Sequence, residues 1–194
     1  MNEPGQCDQR HWVLSLLEQY ETRLVRYAAR MLGDEDSARD VVQHVFLRLC
    51  ERGPEETEGR AAQWLFTVCR NRAIDVLRKR KRTTQFEEGA VQRQAGHEVG
   101  PASAAERHDL YIQLNRLIAT LPQSQREAVD LWAEGFSYRE ISDITGEGEG
   151  KLRVLVHRAL KRLRNDPVTQ RMLGSTGGND STGRAATLEG KVRS

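Results

Sequence analysis

The chain has 194 residues, enough for one or two domains, of which 30% are charged and 38% hydrophobic. The three cysteines show no CxxC spacing and no paired His/Cys set accompanies them, so neither a zinc site nor another cofactor is predicted. No apolar run reaches the length of a signal peptide or of a membrane-spanning helix, and the sequence therefore predicts a cytoplasmic protein without a membrane partner.

The small net charge of +2 hides a strong segregation along the chain. Residues 33–60 contain eight acids and four bases, whereas residues 61–82 contain seven bases and one acid. An acidic block followed by a basic helix indicates two chemically different partners.

The first two predicted helices meet at Gly33. Residues 1–10 are polar and expected to be irregular, and apolar residues then recur at helical spacing from Trp12 to Met31. Acids at positions 34–36 favour the start of the second helix, because their negative charges interact favourably with the positive end of its dipole. Its apolar stripe consists of Ala38, Val41, Val42, Val45, Phe46 and Leu49. Off the stripe lie Asp40, Gln43 and His44, on a face that is either solvated or a docking surface.

A polar loop over residues 51–60 precedes a long basic helix over residues 61–82. The predicted core stripe of this helix consists of Ala62, Leu65, Phe66, Cys69, Ala73, Val76 and Leu77. A second stripe contains Trp64, Asn71 and Asp75 beside several arginines, and it suits stacking on unpaired bases. Trp64 is equally well explained as a core residue. Cys50 and Cys69 are both predicted to be buried small hydrophobes.

Residues 83–106 have almost no apolar period and are predicted to be a linker. A helix follows that ends near Pro122, and Ser124 with Glu127 predicts a capping box for the next one.

The stretch from Ser137 to Arg164 predicts a helix-turn-helix. Ser137 and Glu140 form a capping box, glycines at 146 and 148 mark the turn, and Leu152 opens the apolar stripe of the second helix. The other face carries six cations with no acid among them: Lys151, Arg153, Arg158, Lys161, Arg162 and Arg164. These are either a solvated helix end or a recognition helix for the major groove, and the second interpretation is favoured. Residues 166–194 are predicted to be a disordered tail, rich in Gly, Ser and Thr.

Two passages together resemble the extracytoplasmic-function sigma factors of the sigma-70 family. The first is DEDSARDVVQHVFLRL followed by AAQWLFTVCRNRAIDVLRKRKR, which looks like region two. The second is LPQSQREAVDLWAEGFSYREISDITGEGEGKLRVLVHRALKRLR, which looks like region four. The resemblance implies an all-α protein with region two at residues 11–82, a flexible linker at 83–106, region four at 107–165 and a tail at 166–194.

The resemblance also implies a function. Such proteins bind core RNA polymerase, through the β′ clamp helices and the β flap, and direct it to promoter DNA, which they open without catalysing bond chemistry. Many are held by an anti-sigma factor. The residues implied to contact polymerase are Asp40, Gln43 and His44. Those implied for the minus-ten element are Trp64, Asn71, Arg72, Asp75, Arg78, Lys79 and Arg82, together with the loop before them. Those implied for the minus-thirty-five element are Ser137, Lys151, Arg153, Val154, Arg158 and Lys161.

Several positions depart from the family pattern. His44 stands where relatives carry an acid, which weakens the polymerase contact or makes it pH-dependent. Glu147 replaces a buried aliphatic residue of the turn and is expected to turn outward, because an unpaired buried carboxylate is costly. Gly148 replaces a hydroxyl cap, and Val154 and Leu155 replace polar residues of the reading helix.

Two other functions compete with this one. A stand-alone helix-turn-helix regulator would bind duplex DNA without any affinity for polymerase. An enzyme acting on nucleic acid is disfavoured, because the acids are scattered over helix starts and a loop and form no metal-binding motif.

Overall fold

A computed structural model describes residues 4–52, 57, 59–84, 112–167 and 169–170. All regular secondary structure within these residues is helical. The helices are α1 (Pro4–Leu32), α2 (Glu35–Cys50), α3 (Ala61–Thr84), α4 (112–119), α5 (Gln123–Ala133), α6 (Tyr138–Thr145) and α7 (Glu149–Asn165). The chain forms two compact units, the first containing α1–α3. The all-α prediction is confirmed, and no described helix is long and apolar enough to cross a bilayer.

In the first unit, α1 packs against both α2 and α3, and α2 packs against α3. All six residues of the predicted α2 stripe are buried. From α3, Leu65, Phe66, Cys69 and Ala73 are fully buried, and the Phe66 ring packs 5.3 Å from that of Tyr27 on α1. This three-helix core fixes which faces of α2 and α3 remain in solvent.

The turn between α1 and α2 is built as the sequence indicates. Gly33 has a φ of +71°, a left-handed conformation that residues with a Cβ seldom adopt. Asp34 then caps α2, its carboxylate accepting a hydrogen bond of 3.2 Å from the backbone N–H of Ser37.

Two predictions about the first unit are wrong. Residues 4–10 are helical rather than irregular, because Pro4 is well suited to the first helical position and the helix continues without a break into the apolar stripe. The Gln9 side chain also donates hydrogen bonds to the backbone oxygens of Cys50 (3.1 Å) and Arg52 (2.8 Å). Cys50 is exposed, since it is the last residue of α2 and lies one position past the buried Leu49.

The prediction for Cys69 is confirmed. Its side chain is fully buried, and the lack of solvent raises the pKa of the thiol to about 12. It is therefore a packing residue that stays protonated.

In the second unit, α5 packs against α7. The core contains Ile118 from α4, Leu131 from α5, Ile141 from α6, and Leu152, Val156 and Ala159 from α7.

The capping box predicted at Ser124 is wrong. The N-cap of α5 lies two residues earlier, at Pro122, whose carbonyl accepts from the N–H groups of Gln125 (2.9 Å) and Arg126 (3.0 Å), and the helix begins at Gln123. Arg126 instead braces this helix start, since its guanidinium donates to the backbone oxygens of Ala119 (2.7 Å) and Leu121 (3.1 Å).

The predicted linker and tail fall mostly outside the described residues. Helix α3 runs to Thr84, two residues into the segment 83–106, and residues 85–106 are not described. At the other end, the N–H of Gln170 donates to the oxygen of Asp166 (3.0 Å), so a helical turn stands at the start of the predicted tail.

Candidate nucleic-acid interface

The outer face of α3 presents most of the residues predicted to contact DNA. They recur at intervals of seven, four, three and four residues, which places them on one side of the helix, away from its buried residues. In order they are Trp64, Asn71, Asp75, Arg78 and Arg82. All are exposed except Trp64, which is half-buried. Lys79 is also exposed, and Arg72 is half-buried on the flank.

Trp64 lies near the start of α3 under a cation. The guanidinium of Arg52 sits 5.5 Å from the centroid of its ring, within cation–π range. Trp64 is therefore not sealed in the core, and the guanidinium would have to move for a base to stack on the face that it covers.

The single acid on this face makes only a weak pair. Asp75 and Arg78 are 3.6 Å apart, one helical turn from each other, and both side chains are more than half exposed. Such pairs contribute little in water, so both groups can exchange this contact for one with a nucleic acid.

Not all cations of α3 face outward. Arg80 occupies the core-facing side, seven residues after the buried Ala73. Its guanidinium donates to the oxygen of Leu32 (3.1 Å), to the Oδ2 of Asp34 (2.8 Å) and to the Oγ of Ser37. Arg80 thus ties the end of α3 to the corner between α1 and α2, and that role could be read from its heptad position.

The loop before α3 is described only in part. Thr57 is buried, and its carbonyl accepts from the N–H of Arg60 (2.7 Å) just before the helix begins. Residues 53–56 and 58, which belong to the loop predicted to read the minus-ten element, lie outside the described residues.

The outer face of α2 brings the predicted polymerase contacts together. Asp40 and Gln43 are exposed and His44 is half-buried. Leu47 continues the same stripe, seven residues after Asp40, and is 59% exposed. Sequence reasoning missed this leucine, although an apolar residue on a polar helical face was a visible signal.

In the second unit, the capping box at Ser137 is confirmed. The Glu140 carboxylate accepts from the N–H and the hydroxyl of Ser137, each at 2.7 Å, and the Ser137 oxygen accepts from the N–H of Glu140 at 3.3 Å. Ser137 is the residue before α6 and remains exposed.

The turn between α6 and α7 also matches the sequence. Gly146 has a φ of +76° and Gly148 is the N-cap of α7, without a side chain to cap it. Glu147 turns outward, as expected, and its carboxylate accepts from the Lys151 ammonium at 2.7 Å.

Helix α7 keeps its predicted reading residues in solvent. Leu152, Val156 and Ala159 are buried, while the five predicted DNA contacts on this helix are all exposed. They are Lys151, Arg153, Val154, Arg158 and Lys161.

Arg153 connects α7 to the helix before it. Its guanidinium lies 5.0 Å from the centroid of the Tyr138 ring and 4.0 Å from the Glu149 carboxylate. Burial raises the pKa of Tyr138, and the charge of Arg153 opposes this. The neutral, packed phenol therefore forms a platform that fixes α6 against the start of α7.

Comparison with protein families agrees with this division into two units. Residues 16–83 match the family model of sigma-70 region 2, and residues 111–163 match that of sigma-70 region 4.

Individual relatives match across both units. The ECF RNA polymerase sigma factor EcfG of Rhodopseudomonas palustris is 32% identical over 139 residues, which cover 71% of this chain and 75% of that protein. The ECF RNA polymerase sigma factor SigL of Mycobacterium tuberculosis is 30% identical over 171 residues, 84% of this chain and 90% of the relative. Among solved structures, the sigma factor RpoE of Bartonella quintana, crystallised with the anti-sigma factor NepR, matches with a TM-score of 0.60 and 27% identity, covering 81% of this chain and 94% of that one.

Proposed function

This chain belongs to the extracytoplasmic-function (ECF) RNA polymerase sigma factors of the sigma-70 family, and from that premise we propose how its faces divide the work of promoter recognition. It is a promoter-specificity factor, which acts by binding rather than by bond chemistry. In our proposal, α2 binds core polymerase, α3 holds the minus-ten element, and α7 reads the minus-thirty-five element. The proposed boundaries are residues 11–82 and 107–165, with a linker at 83–106 and a tail from 166.

One observation carries the proposal. Apart from Ser137, which precedes α6, the residues assigned to DNA lie on α3 and α7 outside their buried faces, while apolar residues of the same helices fill the two cores. Arginines sealed inside a core would have ruled out a phosphate-binding role for these helices. The outward cations can instead replace counterions along a DNA backbone.

The α3 face suits a melted strand. Opening a duplex costs about 1–2 kcal/mol for each base-pair step, and stacking of a base on an aromatic ring returns about 1–3 kcal/mol. Trp64 supplies the ring, and Asn71 supplies an amide for hydrogen bonds to a base edge. Arg78, Lys79 and Arg82 neutralise phosphates along the same face.

The α2 face suits a protein partner. We propose that Asp40, Gln43, His44 and Leu47 dock on the β′ clamp helices, with the exposed leucine as the apolar centre and the polar residues as a rim. An anti-sigma factor, as found with the Bartonella quintana relative, would compete for this region-two surface. We propose that the protein acts in the cytoplasm, where core RNA polymerase works.

A binding experiment tests the polymerase assignment. Leu47→Asp should weaken capture by bacterial core RNA polymerase about tenfold or more, because a charge replaces the apolar centre of the contact. Leu14→Asp is the matched control: this leucine of α1 is 50% exposed, yet lies outside the α2 face, and its variant should bind as the wild type does. A wild-type chain that binds duplex DNA but shows no affinity for core enzyme would instead identify a stand-alone regulator.

A further inference from the structure

The outer face of α7 carries an apolar side chain among its cations. Of the apolar residues of this helix, which the structure describes from end to end, Val154 alone is exposed, by 46%. It lies two residues after the buried Leu152 and two before the buried Val156. Because successive residues of a helix are about 100° apart, Val154 points directly away from the core. Packing of the second unit therefore does not account for this side chain.

The cations on either side of Val154 have partners of their own. The Lys151 ammonium lies 2.7 Å from the Glu147 carboxylate, in the turn before α7. The Arg153 guanidinium lies 5.0 Å from the centroid of the Tyr138 ring. Both long side chains are thus directed toward the turn and α6. The isopropyl group of Val154, which lies between them around the helix, remains uncovered by either.

Glycines leave the start of α7 bare beside Val154. Gly150 lies four residues earlier, on the same side of the helix, and Gly148 is the N-cap. Within the described part of the chain, no neighbouring atom lies within 4 Å of the position that a Cβ would take at either glycine. Backbone without side chains can approach a ligand closely. Val154 is therefore the first side chain on this side of α7 to meet a surface that the start of the helix approaches.

The chemistry of the major groove offers one apolar partner for such a side chain. A helix-turn-helix places the first residues of its second helix against base edges. These edges present hydrogen-bond donors and acceptors, and the C5 methyl group of thymine is the apolar group among them. An isopropyl group against donors and acceptors would leave them without hydrogen bonds, whereas contact with a methyl group removes apolar surface of both partners from water.

We propose that Val154 is a specificity residue, which selects thymine at one position of the minus-thirty-five element by contact with its methyl group. The inference rests on the proposed function, because it requires α7 to lie in the major groove. Uracil pairs as thymine does and lacks only this methyl group. Replacement of thymine by uracil therefore isolates the proposed contact from every hydrogen bond and phosphate contact of the complex.

Binding of uracil-containing promoters tests the assignment. Holoenzyme assembled from bacterial core polymerase and the full chain selects a promoter from randomised DNA, and the selected fragment is prepared again with uracil in place of one thymine of the minus-thirty-five element at a time. At one position, uracil should weaken equilibrium binding by the wild type about fourfold, the fold-change of one buried CH₂ group. Val154→Ala should bind the thymine and uracil fragments equally, because the partner of the methyl group has been removed.

Leu114→Ala is the matched control variant. Leu114 of α4 is a second exposed apolar residue of the same unit, at 40%, but lies outside α7. This variant should keep the fourfold difference between the two fragments. Alanine is a better helix former than valine and position 154 is exposed, so Val154→Ala should unfold at the same temperature as the wild type or above it.

Cytosine methylation gives the reverse measurement. When a C·G pair replaces the T·A pair at the sensitive position, 5-methylcytosine restores the methyl group at the same place in the groove. Methylation of that cytosine should strengthen binding by the wild type about fourfold and leave binding by Val154→Ala unchanged.

An equal uracil penalty in the wild type and in Val154→Ala would overturn the proposal, and so would a wild type that loses no affinity at any uracil position. Promoter recognition would stand in both cases, because the holoenzyme has already selected a promoter. Failure to select any promoter from randomised DNA would instead refute the proposed function, and this inference with it.

Discussion

α3 and α7 are both long basic helices with one buried face, yet they deploy their cations differently. In α3, Arg80 turns inward and ties the helix to the corner between α1 and α2. In α7, the five predicted reading residues stay outside, but the cations at its start are paired with acids of the preceding turn, whereas those further on form no ion pair with any residue in the described part of the chain. The number of basic residues in a helix therefore overstates its electrostatic footprint. The position of each cation around the helix and its distance to the nearest carboxylate determine how many cations are available to bind DNA.

The largest expected effect is the loss of promoter opening when Trp64 of α3 is replaced, and it distinguishes α3 from α7. Trp64→Ala should leave duplex binding unchanged but impair promoter opening by about 1–3 kcal/mol, the stacking energy of one base. Permanganate footprinting of the polymerase complex measures the opened thymines. Normal melting in this variant would remove Trp64 from the melting role.

The next prediction concerns the inward cation of α3. Arg80→Ala should destabilise the first unit by about 1–2 kcal/mol, because three acceptors lose a charged donor that is partly screened by solvent. Hydrogen exchange of the α2 amides reports this loss in the full chain. Arg82→Ala, on the exposed face, should change protection by no more than about 0.5 kcal/mol. Equal effects of the two variants would show that Arg80 is not a structural tie.

The third prediction concerns the outward cations of α7. Arg158→Ala should weaken duplex binding several-fold and lower its salt slope by about one. Arg116→Ala, an exposed cation on α4, removes the same charge from the same unit and should not alter the slope. Fluorescence anisotropy at several salt concentrations makes the comparison.

The corner that Arg80 ties also predicts a pH dependence. A hydrogen bond from the Ser37 side chain is the main cause that lowers the pKa of Asp34; partial burial opposes it, and Arg80 lowers it further. The pKa of Asp34 in the folded protein lies below its unfolded value of about 3.9. The ionised carboxylate therefore stabilises the folded protein above that pH, and this stabilisation is lost as the pH falls through the folded pKa.

Asp34→Asn tests this sign, since asparagine still caps a helix but carries no charge. Its urea midpoint should fall less than that of the wild type between pH 6 and pH 3. Asp36→Asn, two residues further on and almost fully exposed, should retain the wild-type fall. A parallel loss in both variants would mean that the local contacts of Asp34 are not the cause.

The smallest effect concerns the acid before α7. Glu147→Gln should cost a few tenths of a kcal/mol of stability, because an exposed i,i+4 pair is lost. It should also tighten duplex binding slightly, since Lys151 is released and a negative charge is removed. Weaker duplex binding would show that Glu147 stabilises the start of α7, and that this matters more than its neutralisation of the Lys151 charge.

Periodicity predicted the helical cores because burial on a helix follows a fixed geometry. All six residues of the α2 stripe are buried, and the Ser137 capping box forms as its spacing indicates. Predictions from local sequence failed where a contact with a distant residue, or a neighbouring proline, determined the local structure. Pro122 caps α5 in place of Ser124, and Gln9 is bound to carbonyls more than forty residues away.

The sequence predicted which side chains of the candidate site are exposed better than it predicted what they contact. Arg80 looks like one more cation of a basic run, and although its position seven residues after the buried Ala73 places it on the core-facing side, only the structure shows its three acceptors near Gly33. Leu47 was missed because an apolar residue on an amphipathic helix is usually assigned to its core. Helical periodicity could have placed both side chains on their faces, but only the structure shows the acceptors of Arg80 and the exposure of Leu47.

The most direct test of the whole account is transcription of fragmented genomic DNA by bacterial core polymerase with and without this protein, read by sequencing of RNA 5′ ends. We expect discrete start sites that depend on the protein and share two conserved elements, near positions −10 and −35. Tight binding to core polymerase without any such start sites would contradict it.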